Sequence, residues 1–382
     1  MFKFKCLFTS MMLLALMLAL GCDLFQEVAP APVSSAQQNA RHKEGIAAET
    51  NISAEKSGDN TDTNSINEEN LIIYTVPDKY TYNDFLNDIA LLKNNYENIV
   101  NINNLCYTVD GRSVYDITVG DPVSENHVLV FGEMHAREYI TSQIVMRLLC
   151  KTINGVLGSE NDYNGVPVKE LLKDVCIHFV PVSNPDGMAI SQFGLNGLNK
   201  GSVRENVSSM SAYEGYEQWK SNANGVDLNR NFDADWADYI GTGIPSAERY
   251  KGAYPGCENE SKALITLTQR CNMKRTISYH TCGALIYWYY KQDGAVLDQS
   301  RRFAERISET TGYPLDSDYT AVDAAGYKDW AVYKMDIPSI TIETGAENGY
   351  SIVNPVPISR FGNIWKHNQD VIWATLYNLK YE

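Results

Sequence analysis

The chain has 382 residues, 44% of them hydrophobic and 24 of them tyrosine, enough to fold and to bury a substantial core. Its formal net charge of −15 argues against a nucleic-acid partner, because a phosphate backbone demands a basic face. The same charge argues against electrostatic docking on anionic lipid.

The N-terminus points to a membrane by another route. "MFKFKCLFTSMMLLALMLALGC" has two lysines, an apolar run and a Gly-Cys ending, which is the order of an export signal. The run is short for a spanning helix and a polar stretch follows at once. The ending "ALGC" resembles the lipobox of bacterial lipoproteins, which implies cleavage after residue 21, a lipid on Cys22 and a cell-envelope location. The other readings of this segment are an uncleaved anchor and a plain secretory signal. Removal of Lys3 and Lys5 with the signal takes the net charge from −15 to −17.

Residues 22–70 are rich in Ala, Ser, Asn, Gln and Glu with almost no aromatic residue. They have nothing with which to build a core and read as a flexible tether. A folded body is expected over 71–382. "TYNDFLNDIALLKNNY" (81–96) carries Phe85, Ile89 and Leu92 at helical spacing, with Thr81 as N-cap. "SVYDITVG" (113–120) follows a "DGR" turn and reads as a strand. Further strands are expected at 127–132, 175–182, 275–280, 284–290 and 339–344. Helices are expected at 139–153, 258–271, 298–312 and 361–380. Apolar strands alternating with amphipathic helices predict one α/β domain, a twisted sheet with helices on both faces. In such folds the polar groups that do chemistry gather at strand ends.

Six cysteines follow Cys22: Cys106, Cys150, Cys176, Cys257, Cys271 and Cys282. That is sparse for a disulfide scaffold, although export permits bridges. If 258–271 is helical, Cys257 and Cys271 lie about 21 Å apart at 1.5 Å per residue. A disulfide needs Cα atoms within about 7 Å, so that pair is excluded.

"GEMHAREYI" (132–140) sets His135 and Glu138 three apart after a buried strand, so that both side chains converge if the chain turns into a helix. Alone the pair also fits a carboxylate in a first helical turn. His280, at the end of "RTISYH", offers a third ligand. Two histidines, one glutamate and an open fourth position compose a catalytic zinc site. Such a site needs a nearby carboxylate base, and Glu343 ends the apolar strand "SITIE". His178 reads as a satisfied histidine within a strand. His127, His42 and His367 have no ligand-spaced partner. A thiol nucleophile at Cys282 is disfavoured, because a histidine bound to metal cannot also act as its base.

The motifs "HARE", "NPDG", "GVDLNRNF", "SYHTCG", "GYKDW" and "ITIETG" occur in this order, and the pattern resembles the zinc carboxypeptidases, relatives of the pancreatic enzymes. The resemblance covers residues 71–382 and implies a zinc carboxypeptidase-like α/β fold with one Zn2+ per chain. It implies His135, Glu138 and His280 as ligands, Glu343 as the catalytic glutamate and Arg137 as a group that polarises the substrate carbonyl. Asn229 and Arg230 would grip the terminal carboxylate of the substrate, which a guanidinium fork matches bidentately. Cys282 would line the substrate pocket. Two positions depart from the pattern. The arginine expected after "NPDG" is absent, with Asn199 near its place and Lys200 or Arg204 as stand-ins. Tyr319, the nearest counterpart of the family's mobile tyrosine, lies two residues too far from Asp329. "WKSNANGVDLNRNF", "YKGAYPGCENESKAL" and "GYKDWAVYKMDIPSITIETG" resemble bacterial γ-D-glutamyl-diamino-acid peptidases more than digestive enzymes. The expected substrate is therefore a murein peptide, with ordinary peptide C-termini as the alternative. A non-catalytic lipoprotein that binds peptide or peptidoglycan is a third reading, disfavoured by the intact ligand set.

Overall fold

A computed structural model describes residues 76–210, 215–316 and 324–382. The signal expected at 1–21, the tether at 22–70 and Tyr319 lie outside the described residues. The first described helix, Tyr82–Asn95, starts as expected. The Thr81 hydroxyl accepts from the Asp84 N–H at 3.1 Å, and the Thr81 N–H donates to the Asp84 carboxylate at 2.9 Å. This reciprocal pair satisfies donors that a helix start otherwise leaves open. Phe85, Ile89 and Leu92 form its buried face.

The strands are β1 (Val100–Tyr107), β2 (Ser113–Gly120), β3 (His127–Phe131), β4 (Asp162–Tyr163), β5 (Val166–Pro167), β6 (Cys176–Val180), β7 (Met273–Gly283), β8 (Leu285–Tyr287) and β9 (Ser339–Gly345). β4 and β5 form a separate hairpin. The other seven form one mixed sheet in the order β1-β2-β6-β3-β7-β9-β8. Its centre, β6-β3-β7-β9, is parallel, and the outer pairings are antiparallel.

Every residue of β3 and β6 is buried, which explains why "HVLVF" and "CIHFV" are apolar on nearly every position. Successive side chains serve opposite faces. Val128, Val130, Ile177 and Phe179 pack with Ile144 and Leu148 of the helix Ile140–Val156. Leu129, Phe131 and Val180 pack instead with Leu264 and Leu267 of the helix Asn259–Arg270, and with Tyr327 and Trp330 of the helix Tyr327–Lys334. Helices thus cover both faces of a mixed sheet in a single α/β domain.

Some boundaries differ from expectation. The stretch 361–380 is two helices, Phe361–Asn368 and Val371–Tyr381. The break falls at the polar residues Gln369 and Asp370, between one half that buries Phe361, Ile364 and Trp365 and another buried on almost every side. Strand 284–290 shortens to β8, because beyond Tyr287 the chain turns Trp288 into the core and Tyr290 toward Asp235, to which its hydroxyl donates at 2.7 Å. Cys257 and Cys271 are free thiols flanking a real helix.

The order of the sheet places the chemistry. From β3 the chain crosses to β6 on one side, and β7 lies on the other, so a crevice opens beyond the carboxyl end of β3.

Candidate active site

Immediately after β3, Gly132, Glu133 and Met134 lead to His135, whose extended backbone opens a short 3-10 turn, Ala136–Glu138. The turn folds Glu138 back under His135. The Glu138 carboxylate meets His135 Nδ1 at 2.9 Å through Oε1 and His280 Nδ1 at 3.0 Å through Oε2. The two Nδ1 atoms are themselves 3.0 Å apart, and all three residues are buried. The Thr281 N–H also donates to Glu138 Oε2 at 3.1 Å.

Three Lewis-basic atoms with converging lone pairs suit a divalent cation, and a two-His, one-carboxylate set that leaves a position free is that of catalytic zinc. Outer support is present too. Asp227 Oδ1 lies 3.2 Å from His135 Nε2, a carboxylate on the outer side of the ring of the kind that raises the basicity of a ligating histidine. Burial opposes ionisation of Glu138, but His135 and His280 hold its carboxyl well below the usual range. Burial lowers the His135 pKa, which favours the neutral ring that a metal requires.

Glu343 reaches the site by strand register. It is paired with His280 across β7 and β9, so both side chains project on the same side of the sheet. Gly283 makes room for it, since a Cβ there would stand 2.7 Å from Glu343 Cβ. Burial first, and then the charge of Glu138, push the Glu343 carboxyl up to about 7. A half-buried carboxyl with that pKa can both accept and return a proton near neutrality.

The loops around the cluster are held by the motif residues. Asn184 caps the helix Pro185–Phe193 by accepting from Gly187 N at 3.0 Å. Its side-chain amide donates to Met134 O at 3.0 Å and Ser221 O at 3.3 Å, joining the segments that carry His135 and Lys220. Asn231 likewise donates to Lys251 O at 2.8 Å and accepts from Glu258 N at 3.2 Å. Asn229 Oδ1 accepts from Tyr327 N at 3.0 Å. The buried Arg230 donates to Asn229 O at 2.7 Å and stacks on Tyr239.

The Arg137 guanidinium finds its recorded polar partners away from the three ligands. Its guanidinium donates to Gln218 O at 3.1 Å and lies 3.6 Å from Glu248. The sequence reading missed Lys220. The N–H of Ala136 donates to the Lys220 carbonyl, and Nζ lies 3.4 Å from Asp227. The ammonium acts on His135, His280 and Glu343 through its charge. The signal was a lysine eight residues before "LNRN", in a motif read only for its C-terminal half.

Lys200 and Arg204, expected as stand-ins for an arginine, are engaged elsewhere. Lys200 Nζ donates to Val109 O at 2.7 Å, and Arg204 donates to Leu198 O at 2.5 Å. Asn199 offers its backbone N–H to Asp110 at 2.7 Å. Cys282 is half-buried beside Glu343, and burial raises its thiol pKa. His178 is satisfied, as expected, by Asp116 at 2.9 Å. His127, expected to lack a partner, faces His178 at 2.9 Å; strand pairing rather than sequence spacing joins them.

A buried two-histidine, one-glutamate cluster with a raised-pKa carboxylate, at the carboxyl ends of parallel strands, defines a metallohydrolase. The zinc carboxypeptidase model matches residues 85–370, and the chain belongs to that family of metal-dependent peptide hydrolases. It is 29% identical over 303 residues to the gamma-D-glutamyl-L-diamino acid endopeptidase 1 of Lysinibacillus sphaericus, covering 78% of this chain and 72% of the relative. An uncharacterized protein of Bacillus subtilis is 26% identical over 274 residues, covering 71% and 70%. Carboxypeptidase A from Helicoverpa armigera shares the fold with a TM-score of 0.58 at 16% identity, over 89% of this chain and 80% of that one.

Proposed function

We propose that the chain is a lipid-anchored envelope enzyme that hydrolyses the bond between γ-D-glutamyl and diamino-acid residues in cell-wall peptides. The observation that carries the catalytic part is the meeting of His135, Glu138 and His280 around one point with Glu343 in register beside them. The substrate class rests on the relative from Lysinibacillus sphaericus, matched over most of both chains.

His135 and His280 through Nδ1, and Glu138 through its carboxylate, would hold the zinc. Bound there, zinc supplies Lewis-acid polarisation and makes water a stronger acid. Glu343 takes the proton from the attacking water and returns it to the leaving nitrogen. Its carboxylate makes no hydrogen bond among the described residues, so neither transfer requires breaking one. Lys220 supplies fixed positive charge near the carbonyl oxygen as negative charge develops there, the function left vacant by the absent arginine. Arg137 joins it by releasing Glu248, a partly exposed contact that stabilises little. Arg230 and Asn229 seat the free carboxylate of the terminal residue, and this anchoring limits cleavage to the adjacent bond.

Export and lipidation at Cys22 put the enzyme within reach of murein peptides. Among the described residues no helix is long and apolar enough to cross a membrane, and in this reading the lipid alone holds the protein. The test is hydrolysis by the zinc-loaded full-length chain of a γ-D-glutamyl-diaminopimelate peptide beside ordinary peptides with free C-termini. Selective cleavage of the first is expected; equal or preferential cleavage of the second would make it a general carboxypeptidase.

A further inference from the structure

The opposite end of the sheet holds a second group of metal-type ligands. β3 begins at His127, whose register partner on β6 is Cys176, and His178 lies two residues along β6 on the same face as Cys176. The ligand atoms of His127, Cys176 and His178 all lie within 4.8 Å of one another, and all three residues are buried. Cys271, which ends the helix Asn259–Arg270, brings a fourth, half-buried donor. Its thiol lines the same cavity as His127, Cys176 and His178.

The orientation of the two imidazoles carries the argument. His127 Nε2 lies 2.8 Å from the Ser124 carbonyl oxygen, which can only accept, so that nitrogen bears the proton. His178 Nδ1 lies 2.9 Å from the Asp116 carboxylate. The remaining nitrogens, His127 Nδ1 and His178 Nε2, face each other at 2.9 Å. With the outer nitrogens protonated, two lone pairs point into the same gap, and either a proton or a metal ion must lie between them. The Nδ1 atoms of His135 and His280 stand in the same relation at 3.0 Å.

We propose that His127, Cys176 and His178 form the core of a second zinc site distinct from the catalytic centre, which Cys271, on the wall of the same cavity, closes as a His2Cys2 tetrahedron when the ion binds. Zinc takes two nitrogen and two thiolate ligands in closed structural sites, with ligand atoms about 3.3–3.8 Å apart at the usual bond lengths. Ser124 O and Asp116 are the outer oxygen partners that orient such histidines. A surface cavity of about 470 Å³, lined by His127, Cys176, His178 and Cys271, gives an ion a path in. The site would tie the starts of β3 and β6 to the turn entering β7. These are the strands whose far ends carry His135 and His280.

The full-length chain, purified in detergent under reducing conditions and loaded with zinc, should bind two ions per chain by native mass spectrometry. His280→Ala should keep one ion, and Cys176→Ser with Cys271→Ser should keep one while retaining peptidase activity. Cobalt in place of zinc should give a thiolate-to-metal charge-transfer band in the wild type and in His280→Ala, and none in the double serine variant. Should that variant fail to fold, the wild-type stoichiometry and the band still decide. A single ion in the wild type, absence of the band, or a Cys176–Cys271 disulfide in its place would overturn the proposal.

Discussion

Asp227 Oδ1 stands 3.2 Å from Nε2 of His135, on the side of the ring away from Glu138. Asp227 is fully buried, and although burial opposes its charge, Lys220 and His135 hold its pKa well below the usual carboxylate value. A fixed negative charge there would raise the basicity of His135 as the proposed ligand. Asp227→Asn should lower zinc affinity at the His135 centre by about 10- to 100-fold, measured by competition with a chelator. Unchanged affinity would mean that Asp227 serves only the loop.

The pH profile follows from Glu343. A proton acceptor must be unprotonated, and burial with the charge of Glu138 raises this carboxyl from 4.5 to about 7. Burial keeps this carboxyl above its ordinary value while zinc, when bound beside it, opposes the rise, so kcat/KM should increase with pH along a limb displaced above the ordinary carboxylate range. Lys220 lowers the Glu343 pKa, so Lys220→Met should move the limb to higher pH. The same variant should reduce the plateau by on the order of 10²-fold if its charge meets the developing oxyanion. A limb that stays in place would place Lys220 outside the field of Glu343.

Much of this site is legible in the sequence, and the reasons differ from residue to residue. His135 and Glu138 share one local turn, so their spacing carries their geometry. His280 and Glu343 are joined only by pairing of β7 with β9, and their positions at the ends of apolar runs supply the clue. Lys220 escaped because a lysine in a polar loop has no spacing signature; Asn184, Ala136 and Asp227 bring it inward. β1, "VNINNLCY", is too polar to read as a strand and takes its place by pairing with β2. The helix Tyr327–Lys334 lacks a clear apolar stripe because both its surroundings are protein. The His127–His178 pair, like His280 with Glu343, is joined only by strand pairing, here of β3 with β6, and no ligand spacing in the sequence links the two.

Space for the proposed base, Glu343, is tested by Gly283. A methyl group there meets Glu343 Cβ at 2.7 Å, closer than packed carbons stand, so the carboxylate must shift. Gly283→Ala should lower kcat by as much as about 10²-fold with zinc content unchanged. Full activity would show that the Glu343 position is not critical.

The proposed lipid anchoring is tested by Cys22→Ala. The variant should lose the lipid and leave the membrane fraction, while the catalytic domain keeps its activity in solution. Retention in the membrane fraction would argue for an uncleaved N-terminal anchor.

The most direct test of the catalytic account compares the wild type with Glu343→Gln for zinc content and turnover of a γ-D-glutamyl-diaminopimelate peptide. The account predicts equal zinc in both and a loss of about 10²- to 10⁴-fold in kcat for the variant. Turnover by Glu343→Gln at the wild-type rate would contradict it.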